Sequence, residues 1–129
     1  MENKLAYTLV SDKPFAAVVE NIEKQVAEHK FRVLAKHDVQ ATLAEKGLER
    51  GPLNIIEVCN AGFAHKALQY EELISLFMPC RFSVFTKDDK TVVNLARPSM
   101  MADMMPIEGL AELAGEVETT LKDIMEKSV

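Results

Sequence analysis

Two stretches of this chain carry apolar residues at a spacing that only a helix laid on a broad apolar surface can use. In the first, Phe15, Val18, Val19, Ile22 and Val26 fall on one stripe, with Glu20, Glu23, Lys24 and Glu28 on the opposite face. In the second, Leu110, Leu113, Ala114, Val117, Leu121, Ile124 and Met125 form a stripe near the C-terminus. Each stripe has to be covered, and most of the segments between them alternate with the period of a strand. The expected class is α+β: a largely antiparallel sheet covered on one face by two long helices, with short helices in the connections. A chain of 129 residues holds one hydrophobic core, so residues 1–129 are read as a single domain.

The segments between the stripes are read from their local signals. Lys4 to Val10 is a strand, Asp12 a cap for the first long helix and Pro14 a residue of its first turn. "FRVLAKHD" alternates, so Phe31, Val33, Ala35 and His37 are expected on the core side. Asp38 then caps a short helix that stops at Gly47. Leu53 to Cys59 is a strand whose adjacent Ile55 and Ile56 fit either burial on both faces or a bulge. Asn60 caps a helix over Ala61 to Gln69, with Phe63, Ala64, Ala67 and Leu68 inward, and "EELISLFMP" is an apolar connection. "CRFSVFTKDDKTVVNLA" is a hairpin around Lys87-Asp88-Asp89-Lys90, with Cys80, Phe82 and Val84 on one face and Arg81 and Ser83 on the other. "SMMADMMP" is a helical turn or two ended by Pro106.

Charge narrows the partners. A net charge of -5, with no basic run interleaved with aromatics and no Trp, argues against nucleic acid as a partner. The N-terminal apolar stretch breaks at Ser11-Asp12-Lys13-Pro14, too short for a secretion signal or a membrane span, so a cytoplasmic location and no membrane partner are expected. Thiols stay reduced in that compartment, and Cys59 and Cys80 are therefore not read as a structural disulfide.

Chemistry-bearing residues are few. Cys59 ends one strand and Cys80 begins another, so antiparallel pairing would bring both thiols to the same end of a sheet. The strand carrying His37 could bring an imidazole to that end, and a thiol beside an imidazole can act as nucleophile, redox centre or soft-metal ligand. Free cysteine is also a common small core residue. No Cys-x-x-Cys and no paired-histidine spacing appears, which speaks against a closed zinc site. Met100, Met101, Met104 and Met105, with Met78 near Cys80, would suit Cu(I), although methionine more often fills irregular gaps or binding surfaces. His29 and His65 are expected at the surface, and Arg81 and Arg97 to pair with carboxylates rather than hold an anion.

"FRVLAKHDVQATLAEKGL", "IIEVCNAGFAHKAL", "MPCRFSVF" and "NLARPSMM", in this order, resemble the family known as domain of unknown function 302. The resemblance covers nearly the whole chain. It implies a compact α+β domain related in fold to the TATA-binding-protein-like group and frequently a homodimer, and it brings neither reaction nor ligand, because function belongs to sites rather than folds. The family's His-Asp, Cys-Asn and Pro-Cys positions correspond to His37-Asp38, Cys59-Asn60 and Pro79-Cys80, while Ala61 stands where the family usually has proline after Cys-Asn. The expected function is a non-enzymatic module that binds a soft ligand, a metal or a sulfur species, near Cys59, Cys80, His37 and Asn60, with Met78 as a further metal candidate. Two rival readings stay open: an interaction homodimer without a small-molecule site, and a thiol-dependent enzyme.

Overall fold

The computed structural model describes residues 1–129. Five strands and five α-helices follow one another as β1 (Ala6–Ser11), α1 (Phe15–Glu28), β2 (Arg32–Asp38), α2 (Val39–Ala44), β3 (Leu53–Cys59), α3 (Ala61–Tyr70), β4 (Cys80–Lys87), β5 (Lys90–Ala96), α4 (Pro98–Met104) and α5 (Leu110–Ser128), with a 3-10 helix at Glu72–Phe77 between α3 and β4. The strands form one sheet in the order β1-β5-β4-β3-β2, antiparallel throughout. No helix is long and apolar enough to cross a membrane.

Both long stripes are buried as their spacing requires. Val18, Val19, Ile22 and Val26 of α1 meet Val117, Leu121, Ile124 and Met125 of α5 over Ile56, Val58, Phe82, Val84, Val93 and Leu95 of the central strands. Burying these side chains on one sheet face is the main stabilising contribution to the fold, at about 25 cal/mol per Å² of apolar area removed from water. A second, separate cluster of Ile74, Ala102, Leu110 and Ala114 lies beside the first, with Met78, Met101 and Met105 packed on it. The opposite sheet face carries Leu53, Ile55, Glu57 and Cys59 of β3, all half-buried, in strict alternation with its buried residues. That alternation decides the question left by Ile55 and Ile56: β3 has no bulge.

The bulge is in β2 instead, between Val33 and Ala35, and it has a consequence for His37. One extra residue reverses the side-chain parity of everything after it. Val33 pairs with buried Val58, but Lys36 pairs with Ile56 and His37 with Ile55, so His37 falls on the uncovered face rather than on the core side. Lys36 takes the helix side and donates to Glu23 of α1 at 2.8 Å.

Local signals for caps and turns hold at three places and fail at one. Asp38 Oδ1 accepts from the Ala41 backbone N–H at 3.0 Å, and Asn60 Oδ1 from that of Phe63 at 3.0 Å. Asp88 and Asp89 both have positive φ, 51° and 61°, which gives the β4–β5 hairpin a turn matched to strand twist. Asp12 does not cap α1; its carboxylate pairs with Lys90, and Pro14 occupies the N-cap position without a side-chain bond. His29 is not a free surface residue: Nδ1 faces the Gln25 carbonyl and Nε2 the Asp123 carboxylate, each at 2.7 Å, tying the end of α1 to α5.

Candidate functional site

At the end of the sheet where β3 and β5 finish and β4 begins, the two apolar clusters do not close on each other. They leave a cavity of about 250 Å³, and 18 of its 23 lining residues are hydrophobic. Its floor is Val58, Phe31 and Cys80 at the edge of the main core. Phe63, Ala64 and Ala67 of α3 form one wall, Leu110, Leu113 and Val117 of α5 another, and Met100 and Met101 of α4 a third. Leu76 and Phe77 of the 3-10 helix belong to the lining and are also exposed, so the cavity reaches solvent there. The only polar residues in its lining are Asn60, Arg81 and Arg97.

Both cysteines are among the residues that line this cavity, although Cys59 lies on the sheet face opposite Cys80. Strand register sets Val58 opposite Cys80, which puts Cys59 one position along the neighbouring strand. Burial pushes the Cys80 thiol up to about 11, the proximity of the Cys59 thiol adds to the rise, and the Arg81 guanidinium opposes it. At neutral pH only about one molecule in ten thousand then carries the Cys80 thiolate, the form that attacks or binds metal. The site offers Cys80 as a neutral, polarizable wall.

The structure separates His37 from the two cysteines. Cys59 pairs with Arg32 at the start of β2, while His37 pairs with Ile55, four residues further down β3, roughly 13 Å along the strand. The His37 ring is mostly exposed and its Nε2 lies 3.3 Å from Glu57 Oε1 on the uncovered face. The thiol–imidazole convergence is therefore not formed, because the antiparallel pairing of β2 with β3 sets the end of β2, where His37 lies, at the end of β3 away from Cys59. No three His, Cys, Asp or Glu side chains gather as a metal set.

Asn60 borders the cavity, but its polar atoms are committed. Besides capping α3, its Nδ2 donates to the Lys30 carbonyl at 3.0 Å, so it clamps α3 to the turn before β2. Met78 packs against the second cluster, as do Met101 and Met105, whereas Met104 is exposed. The methionine-rich segment is thus filler on one face and open on the other.

One group that strip-by-strip reading passes over is Glu118. It lies on the buried stripe of α5, and its carboxylate takes bonds from Arg97 Nε at 3.2 Å, Arg97 Nη2 at 3.1 Å, Ser99 N at 3.1 Å and Ser99 Oγ at 2.7 Å, with Lys122 Nζ at 3.1 Å. Burial alone would raise its pKa; the hydrogen bonds from Ser99, Lys122 and Arg97 outweigh that and hold it at about 2. The available signal was an acidic residue four positions from Ala114 and Lys122, inside an otherwise apolar stripe. Arg97 also donates through Nη1 to the Asn3 carbonyl at 2.7 Å, so each of its three guanidinium nitrogens is engaged. Arg81 is exposed and makes no ion pair or side-chain hydrogen bond, contrary to the pairing expected of it. Its cross-strand neighbour Glu57 faces His37 instead.

Comparison with known proteins bears on fold and family. The family model described as "Domain of unknown function DUF302" matches residues 7–128. A crystal structure of an uncharacterized conserved DUF302 protein from Bacillus stearothermophilus superposes with a TM-score of 0.92 at 28% identity, covering 97% of this chain and 98% of that one. No curated protein matches the chain.

Proposed function

The chain belongs to the DUF302 family, and from that premise we propose that it is a non-enzymatic binding module whose cavity takes up a small, soft, largely apolar molecule. The observation that carries this reading is the cavity of about 250 Å³ between the two clusters, apolar over most of its lining and open beside Leu76 and Phe77. A dry apolar cavity of about 150 Å³ accommodates benzene, so this one suits a ligand of roughly ten heavy atoms. The sulfur-bearing residues Cys80, Met78, Met100 and Met101 in its lining make its wall unusually polarizable. A protonated Cys80 favours a neutral soft guest over a metal ion or a reaction through the thiolate.

The test is a titration of the labelled protein with n-octanol, followed by amide chemical shifts. Binding predicts saturable shifts concentrated at Phe63, Ala67, Cys80, Met101 and Leu113, and their loss in Ala64→Phe, which fills the cavity. Shifts that are absent, or scattered and unsaturable, overturn the reading.

A second reading, self-association, draws on a different observation. Leu73 and Leu76 are 61% and 77% exposed on the 3-10 helix, with Phe77 beside them, more apolar surface than a short solvent-facing turn requires. Light scattering that returns a monomer mass at micromolar concentration removes it.

A further inference from the structure

Every fully buried strand residue lies on one side of the sheet, the side on which α1 and α5 pack. The other side is not a plain solvated face. Strand register sets Val10 opposite Val92, Val92 opposite Phe85 and Phe85 opposite Leu53, an apolar row four strands wide with Ile55 beside it. Val10 is 60% exposed and the other four are only half-buried. Charge also differs between the two sides. α1 and α5 hold eight acidic residues against three lysines. The strand residues of the uncovered face give Arg32, Arg81, Lys87 and Lys90 against Glu57. Lys90 pairs with Asp12, Lys87 stands beside Asp88 and Asp89 of the hairpin turn, and Glu57 is drawn to His37 at 3.3 Å. Arg32 and Arg81 remain, both exposed and neither in an ion pair, on the strands either side of β3 and near its Cys59 end.

From this arrangement we infer that the uncovered sheet face docks an acidic amphipathic helix of a partner protein, its apolar stripe on Leu53, Ile55, Phe85 and Val92 and its carboxylates at Arg81 and Arg32. A helix with apolar anchors at i, i+3, i+4 and i+7 offers such a stripe. From the apolar row to Arg32 is about 20 Å of strand, which about 13 helical residues span. Guanidiniums present paired N–H donors that match the two oxygens of a carboxylate. A second copy stacked face to face brings more unpaired guanidinium and no free strand carboxylate, which is like charge where opposite charge is needed. A phosphate backbone answers the guanidiniums and leaves the apolar row unmatched. This face and the cavity lie on opposite sides of the sheet, so the two proposals stand or fall separately.

The probe is a synthetic helical peptide of about 14 residues with leucine on one stripe and glutamate on its flanks, and its counterpart has lysine for every glutamate. Titrating labelled protein with the glutamate peptide should give saturable amide shifts at Ile55, Arg81, Ser83, Phe85 and Val92. Affinity should fall between about 20 and 300 mM salt, the range over which exposed charges become screened. Arg81→Glu should weaken the glutamate peptide about fivefold or more and strengthen the lysine peptide, and that gain shows the variant to be folded. Absent or unsaturable shifts on this face overturn the assignment, and so does equal binding of the two peptides by wild type. A short DNA duplex that shifts the same amides more tightly gives the face to nucleic acid and overturns it. Light scattering that returns a doubled mass for the protein alone, lost in Val10→Glu, gives the face to a second copy and overturns it as well.

Discussion

Glu118 Oε1 accepts from the Ser99 backbone N–H at 3.1 Å and from its hydroxyl at 2.7 Å, so a carboxylate on α5 caps the start of α4. The first N–H groups of a helix have no partner within it. Here the missing partner comes from another helix, and the same carboxylate holds Arg97 at the end of β5. Replacing it should be costly. Glu118→Gln keeps an acceptor but removes the less exposed of the two carboxylates that Arg97 and Lys122 share, leaving them Glu2 alone, and is expected to lower unfolding free energy by about 3 kcal/mol. Urea denaturation measures this; a loss below about 0.5 kcal/mol would show that the cap is dispensable.

The same group sets an acid limit. Its ordinary value of 4.5 falls to about 2 in the folded protein, so between those pH values the unfolded chain binds the extra proton. A depressed carboxylate contributes its full stability above the unfolded value and loses it as pH falls toward the folded one. The stability difference between wild type and Glu118→Gln should be level above about pH 5 and shrink as pH falls toward 2. A difference that stays constant through this window would contradict the assignment.

Cys80 behaves in the opposite sense. Its thiol is raised from 9.0 to about 11, chiefly by burial, so the folded state keeps a proton that the unfolded chain releases. The contribution is complete below pH 9 and is lost as pH rises through 11. In Cys59→Ser protein the remaining thiol should react with an aromatic disulfide reagent at least about tenfold more slowly in the native state than in denaturant at pH 8. Equal rates would mean that Cys80 is open and ionised.

Gly109 precedes α5 with φ +88°, and a Cβ there would sit 2.7 Å from the Tyr70 hydroxyl oxygen and 3.0 to 3.1 Å from its ring. Gly109→Ala meets both a backbone penalty and a clash, with an expected cost of about 2 kcal/mol. Adding Tyr70→Ala should relieve the clash and leave the backbone part, so the double variant recovers partially relative to Gly109→Ala. Thermal unfolding of the three variants decides it; no change in midpoint for Gly109→Ala would refute the steric account.

The two amphipathic stripes were legible because each needs only its own spacing to declare a helix, and the 110–125 stripe is buried residue for residue. The Asp38 and Asn60 caps and the Asp88-Asp89 turn were legible for the same reason, being local chemistry. His37 was not, because its side is set by a bulge that exists only in the pairing of β2 with β3. Asp12 was misread since a competing ion pair with Lys90, distant in sequence, takes its carboxylate. The cavity was invisible for a further reason: it is a gap between two clusters, and no residue pattern encodes a gap. The exposed Arg81 followed from where Glu57 turns, again a matter of pairing across strands.

The small cluster of Ile74, Ala102, Leu110 and Ala114 shares no buried residue with the larger one. Proteins loosen in cooperative pieces, and a piece with few buried neighbours opens at lower free energy than the whole. One corner of this molecule can therefore breathe while all five strands stay zipped. Opening at that corner is thereby uncoupled from the lifetime of the native state: it can open and close many times between unfolding events.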